Sequence, residues 1–127
     1  MVKKLYPLCE NHLFSKAYRK GKSAANRYVA VYVLKNYGNK KGTPALTKLG
    51  ITVNKKLGKA TKRSRVKRII RAAYRENMPV IKNGFIIIVA ARSACFDKGV
   101  KSTAVAKQMK KSFEQLGILV ENTGEKR

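Results

Sequence analysis

Acidic residues are scarce in this chain: Asp and Glu total 6 against 30 Lys and Arg in 127 residues, a formal net charge of +24. Such an excess repels itself and marks a partner of opposite charge, either nucleic acid or an anionic membrane. Long apolar runs are also missing. The longest, Phe85 to Ala91, is too short to span a bilayer, so the membrane reading is the weaker one. The start, MVKKLYPLCEN, has two lysines but no apolar core, and reads as no signal peptide. Histidine occurs once, at His12, which reads as a surface helix residue. The acids Glu10, Glu76, Asp97, Glu114, Glu121 and Glu125 are scattered, with no metal-ligand spacing, no paired carboxylates in one motif and no Gly-rich phosphate loop. This excludes a hydrolase built from its own side chains: no catalytic residue and no metal site is assigned. Cys9 and Cys95 are far apart, form no CxxC pair, and read as reduced structural thiols. Repeats, low-complexity segments and a disordered Lys/Arg-rich extension are absent.

What the chain has is one concentrated basic segment, NKKLGKATKRSRVKRIIRAAYR, from Asn54 to Arg75. At 100° per residue, Val66, Ile69, Ile70, Ala73 and Tyr74 fall on one arc, while Arg63, Arg65, Lys67, Arg68, Arg71 and Arg75 fall on the other. One face buries and the other is a rod of positive charge. For the free helix the rod is unfavourable. Pairs such as Arg63–Lys67, Lys67–Arg71 and Arg71–Arg75 are like-charge neighbours, together costing on the order of 1–2 kcal/mol. Lys59, Lys62 and Arg63 also sit at the end where the macrodipole disfavours cations. A solvated charged face normally mixes signs, and this one carries no acid from Lys55 to Arg75. A polyanionic partner would reverse both penalties.

Around this helix the pattern is α/β. Asn11 as a cap and Gly21 as a stop predict a helix over 12–20, with Leu13, Phe14, Ala17 and Tyr18 on one side. Residues 22–26 read as a connector. Arg27 to Lys35, RYVAVYVLK, reads as a strand with Val29, Val31 and Val33 facing the core and Tyr28, Ala30, Tyr32 and Leu34 facing away. A lysine-tipped loop, 36–44, precedes a returning strand over 45–54. Its Leu49, Ile51 and Val53 face the core; Lys48, Gly50, Thr52 and Asn54 line the tyrosine face and leave room there. The basic helix runs from Lys59 to Asn77, closed by Pro79. Phe85 to Ala91 is apolar on both faces and reads as a central buried strand. Ser102 to Leu116 is a last helix with Val105, Met109, Phe113 and Leu116 as its core stripe. The expectation is one α/β (α+β) domain over 1–118, a single sheet layer with helices on one face, and a C-terminal tail over 119–127.

RSRVKRIIR, Arg63 to Arg71, preceded by NKKLGKATK, resembles the signature of the bacterial ribonuclease P protein subunit: an Arg-Asn-Arg triplet, then Lys-Arg and a further Arg on the same helix. Phe14 and Tyr18, then Gly21, then Ala25-Asn26-Arg27 before an aromatic strand, resemble the family's N-terminal region. Phe85 to Ala91 resembles its strand after the basic helix. The likeness covers roughly residues 5–118, with Ser64 in place of the triplet's asparagine. It implies a ribosomal protein S5 domain 2-like sandwich with a left-handed parallel crossover, against the usual hand. It implies a small cytoplasmic protein, monomeric alone, that joins one catalytic RNA to mature the 5′ end of precursor tRNA. The chemistry belongs to the RNA and its magnesium ions; the protein itself binds no cofactor. Lys55, Lys56, Lys59, Lys62, Arg63, Ser64, Arg65, Lys67, Arg68, Arg71 and Arg75 are then expected on the catalytic RNA. Phe14, Tyr18, Arg27, Tyr28 and Tyr32 are expected on the single-stranded 5′ leader, where bases stack on aromatics. A ribosomal RNA-binding structural protein is the alternative, matching the size, pI and lack of catalytic groups.

Overall fold

The structure, a computed structural model, describes residues 6–7, 11–35, 47–81, 84–97 and 99–119. The expectations for Cys9, Glu10, the loop 36–44, the first two residues of the returning strand (45–46) and the tail 120–127, and for the side chains of Asn11, His12 and Leu13, lie outside what is described. The elements are β1 (Tyr6–Pro7), α1 (Asn11–Lys20), β2 (Lys22–Ala25), β3 (Val29–Lys35), β4 (Lys48–Thr52), α2 (Ala60–Asn77), β5 (Phe85–Ala91) and α3 (Ser102–Leu116). Short 3-10 turns occupy Lys55–Leu57, Met78–Val80 and Ser93–Phe96.

The sheet order is β1-β4-β5-β3-β2. β5 is central, antiparallel to β3 and parallel to β4, and α2 is the crossover between the two parallel strands. Phe85 to Ala91 earns that place by being apolar on both faces, and Ile86, Ile87, Ile88 and Val89 are all buried. The returning strand therefore comes back one place further out than a hairpin would bring it. Of residues 22–26, read as a connector, Lys22–Ala25 instead form the edge strand β2, antiparallel to β3. Lys22 and Ser23 are exposed there, so no apolar alternation announces the strand.

On one sheet face, Val29, Val31, Val33, Leu49, Ile87 and Val89 pack beneath the buried sides of α2 and α3. Val66, Ile70, Ala73 and Tyr74 come from α2; Val105, Met109 and Phe113 come from α3. The Tyr74 and Phe113 rings meet edge-on with centroids 6.4 Å apart. The fold class is the expected one, with one correction: not all helices lie on one face. α1 covers part of the other side, where Ala17 packs on Ile86 and Ile88, bordered by Phe14, Tyr32 and Leu34. A strand apolar on both faces needs cover on both, and α1 supplies the second. Ile118 is buried, and Leu119, placed in the tail by sequence, packs on the core and bridges to Ile81.

Asn26 holds the β2–β3 turn in place. Its Oδ1 accepts from the backbone N–H groups of Tyr28 (2.8 Å) and Val29 (2.9 Å). Its Nδ2 donates to Ser112 Oγ (2.8 Å) and to the Gln108 carbonyl (3.2 Å) on α3. Arg92 closes the set by donating from Nη1 to the Asn26 carbonyl at 2.7 Å.

Candidate nucleic-acid interfaces

The basic helix is oriented as its periodicity demands. Val66, Ile70, Ala73, Tyr74 and Asn77 are buried, while Lys62, Ser64, Lys67, Arg68, Arg71 and Arg75 are exposed. Arg63 and Arg65 are half-buried on the two flanks of the rod. Arg63 is steadied by an Nε hydrogen bond to the Gly58 carbonyl at 3.2 Å. Just upstream, Asn54 caps the turn Lys55–Leu57, its Oδ1 accepting from the Lys56 N–H at 2.8 Å, so exposed Lys55 and Lys56 continue the charged surface. Gly58 lets this turn lie against Phe96, whose ring would stand 3.0 Å from an added Cβ. Lys59 begins α2 without a side-chain cap, and no acid occupies its first turn. The N-terminal positive end of the macrodipole is thus reinforced by cations, an arrangement suited to phosphates.

The opposite face carries the aromatic cleft. Tyr18 of α1 meets Tyr32 of β3 edge-to-face, ring centroids 4.7 Å apart at 76°. The Tyr18 hydroxyl pairs with Thr52 Oγ1 at 3.3 Å. Tyr18 is 43% exposed, and Phe14 and Tyr32 are half-buried beside it. The neighbouring rows are small: Thr52 aligns with Ala90, and Ala90 with Ala30. An open shelf of small residues next to a partly exposed aromatic pair can take a flat base, with one ring already oriented.

Tyr28 does not join this group. The Asn26 turn ends the β3 ladder at Val29, and Tyr28 packs instead against the core beneath α2 and α3. Arg27 is exposed at the same turn, its guanidinium 5.8 Å from the Tyr28 ring centroid. The structure therefore unites Phe14, Tyr18 and Tyr32, and separates Arg27 and Tyr28 from them. Strand alternation had put Tyr28 beside Tyr32; it fails because a side-chain-capped turn interrupts the strand. Sequence reasoning singled out no residue of the start of α3, where Lys101 and Thr103 are exposed close to Arg65 and Arg68. No periodicity signal could have found that proximity.

Two other groups are kept out of chemistry by burial. Desolvation pushes the Cys95 thiol up to about 11, only partly opposed by the Arg65 guanidinium, so it stays protonated at neutral pH. Burial likewise pushes Tyr74 up to about 12. Among the described residues, no three His, Cys, Asp or Glu side chains gather as metal ligands. Among them, too, no helix is long and apolar enough to cross a membrane.

Comparison with known proteins agrees with this geometry. The family model described as Ribonuclease P matches residues 2–117. A ribonuclease P protein component of Clostridium acetobutylicum is 39% identical over 111 residues, covering 87% of this chain and 88% of that one. Its counterpart in Symbiobacterium thermophilum is 37% identical over 118 residues, covering 93% and 96%. Among solved structures, the RNase P protein of Staphylococcus aureus superposes with a TM-score of 0.72 at 31% identity, covering 91% of this chain and 98% of that chain. The RNase P protein of Thermotoga maritima gives 0.66 at 32% identity, covering 86% and 94%.

Proposed function

The chain belongs to the ribonuclease P protein family, and from that premise we propose that it binds a catalytic RNA through α2 and the 5′ leader of precursor tRNA through the Tyr18–Tyr32 cleft. The observation that carries this reading is the division of labour across the sheet: exposed cations of one sign on one side, a partly exposed aromatic pair on the other. Lys67, Arg68, Arg71 and Arg75, with Lys55, Lys56, Lys59 and Lys62 upstream, track phosphates, the arginines by forked contacts. Phe14, Tyr18 and Tyr32 offer stacking surfaces to unpaired leader bases. The RNA and its magnesium ions supply bond cleavage; the protein neutralises phosphate charge and positions the leader. It works as a monomer in the cytoplasm, within a ribonucleoprotein that matures tRNA 5′ ends.

The test is leader release from precursor tRNA by protein alone, RNA alone and both together at low magnesium. The protein alone is expected to be inactive, and its addition is expected to raise cleavage by the RNA, because its charge offsets phosphate repulsion. Robust cleavage by nuclease-free protein alone, or no gain on mixing, would overturn the reading.

A further inference from the structure

Two clefts meet at the start of α3. One, of about 480 Å³, lies between α2 and α3 and is lined by Arg65, Arg68, Val100, Lys101 and Thr103, among others. The second, of about 330 Å³, lies between α3 and the β2–β3 turn and is lined by Arg27, Tyr28 and Asp97, again with Val100, Lys101 and Thr103. The two adjoin at Val100, Lys101 and Thr103, which line both, and together form a trough from the basic helix around the start of α3 to the turn. Cations stand along its length: Arg65 and Arg68 at one end, Lys101 in the middle, Arg27 at the other. The turn is a rigid wall, because Asn26 spends its whole amide on the backbone of Tyr28 and Val29 and on α3.

The two ends differ chemically. The charged groups of the α2 end, Arg65, Arg68 and Lys101, are all cations and suit phosphate. The turn end pairs an aromatic ring with a carboxylate. Asp97 is exposed in a chain of net charge +24 and there faces the same trough as Lys101. A carboxylate repels phosphate, but it accepts hydrogen bonds from the amino and imino groups of a base edge. Tyr28, half-buried beside it, offers a ring to an unpaired base. We propose that this trough carries a single-stranded segment of the catalytic RNA, phosphates toward Arg65, Arg68 and Lys101, with one unpaired base against Tyr28 and read by Asp97. Arg27 and Tyr28 thereby belong to the catalytic-RNA surface rather than to the leader cleft. The inference rests on the assignment of α2 to the catalytic RNA.

The experiment measures affinity for the organism's own ribonuclease P RNA, transcribed in vitro, as a function of salt. It also measures holoenzyme affinity for precursor and mature tRNA, with a thermal melt for each variant. Arg27→Ala and Lys101→Ala are each expected to weaken binding to the catalytic RNA about tenfold, lowering the salt slope by about one, and to leave the precursor-to-mature ratio unchanged. Tyr28→Leu is expected to lose about 5- to 100-fold, and Tyr28→Phe to restore it. Asp97→Ala gives opposite signs for the two possibilities. Removing a surface acid tightens binding to any polyanion by electrostatics alone, whereas losing a base-edge acceptor weakens it. Tighter binding by Asp97→Ala, unchanged binding by Arg27→Ala and Lys101→Ala, or a fall confined to precursor tRNA overturns the proposal. Arg71→Ala, on the outer face of α2, separates the two readings. If it weakens catalytic-RNA binding while the trough variants do not, only this inference fails; if none of them does, the α2 assignment fails too.

Discussion

At the scale of single residues, Gly21 decides how closely α1 lies on the sheet. A Cβ there would stand 2.6 Å from both the Ala17 and the Val33 carbonyl oxygens, and its N–H donates to Ala17 at 2.9 Å. Both obstacles are backbone, so relief requires α1 to lift from β3. Gly21→Ala is therefore expected to destabilise the fold by about 1–3 kcal/mol, the usual range for overpacking. It should also widen the Tyr18–Tyr32 gap, because Tyr18 lies on the turn of helix that must move. Denaturant unfolding beside precursor-tRNA affinity checks both; a variant as stable as the parent would show that α1 is loosely seated. Gly21 was read from sequence as a helix stop, which it is. Its second role follows only from where β3 passes, and no local pattern reports that.

At the scale of elements, the β2–β3 turn shows what one side chain can hold. Asn26→Ala removes two acceptor contacts to the turn and two donor contacts to α3, and leaves Ser112, which is buried, without its partner. A loss of about 2–4 kcal/mol is expected from contacts of roughly 0.5–1.5 kcal/mol each plus an unsatisfied buried hydroxyl. Asn26→Asp keeps the two acceptor contacts but not the donors, and is expected to fall in between; equal melting of all three proteins would refute the pinning role. The elements legible in the sequence are those whose burial is periodic along the chain. Val29, Val31 and Val33 alternate, Val66, Ile70 and Ala73 recur at helical spacing, and the apolar run of β5 can only be central. β2 was illegible because an edge strand with exposed Lys22 and Ser23 has no apolar face to declare, and its partner is chosen by Asn26 and α3. The position of β4 beyond β5, and of α1 on the second face, are likewise tertiary outcomes. The exposure of the α2 cations was legible because charge on α2 follows the same period as burial. The grouping of the aromatics was legible only for Phe14, Tyr18 and Tyr32, since Tyr28 leaves the strand at a turn that alternation cannot foresee.

At the scale of the whole molecule, the sheet separates two surfaces with different chemistry, and this makes them separable by mutation. Arg68 is exposed on α2, above the face packed by Val31 and Val89, while Tyr32 lies on the face covered by α1. Arg68→Ala is expected to weaken catalytic-RNA binding by about 1–3 kcal/mol and to leave the melting temperature unchanged or slightly raised, since it relieves like-charge neighbours Arg65 and Arg71. Tyr32→Ala is expected to weaken holoenzyme affinity for precursor tRNA by about 1–3 kcal/mol while sparing mature tRNA and the catalytic RNA. Tyr32 also packs on Ile86 and Ile88, so its melt will fall; affinities must be taken well below the transition, and Tyr32→Phe should keep both stability and stacking. Because the two side chains share no partner, the double variant should show the sum of the single effects within about 0.5 kcal/mol. Salt distinguishes the faces as well: the Arg68 contact weakens as counterions compete, whereas stacking on Tyr32 responds far less. Equal losses for precursor and mature tRNA on Tyr32→Ala would remove the leader from the aromatic cleft. Strong non-additivity between the two substitutions would mean that one RNA segment wraps both faces, and the sheet would then be a saddle for a single ligand instead of a partition between two.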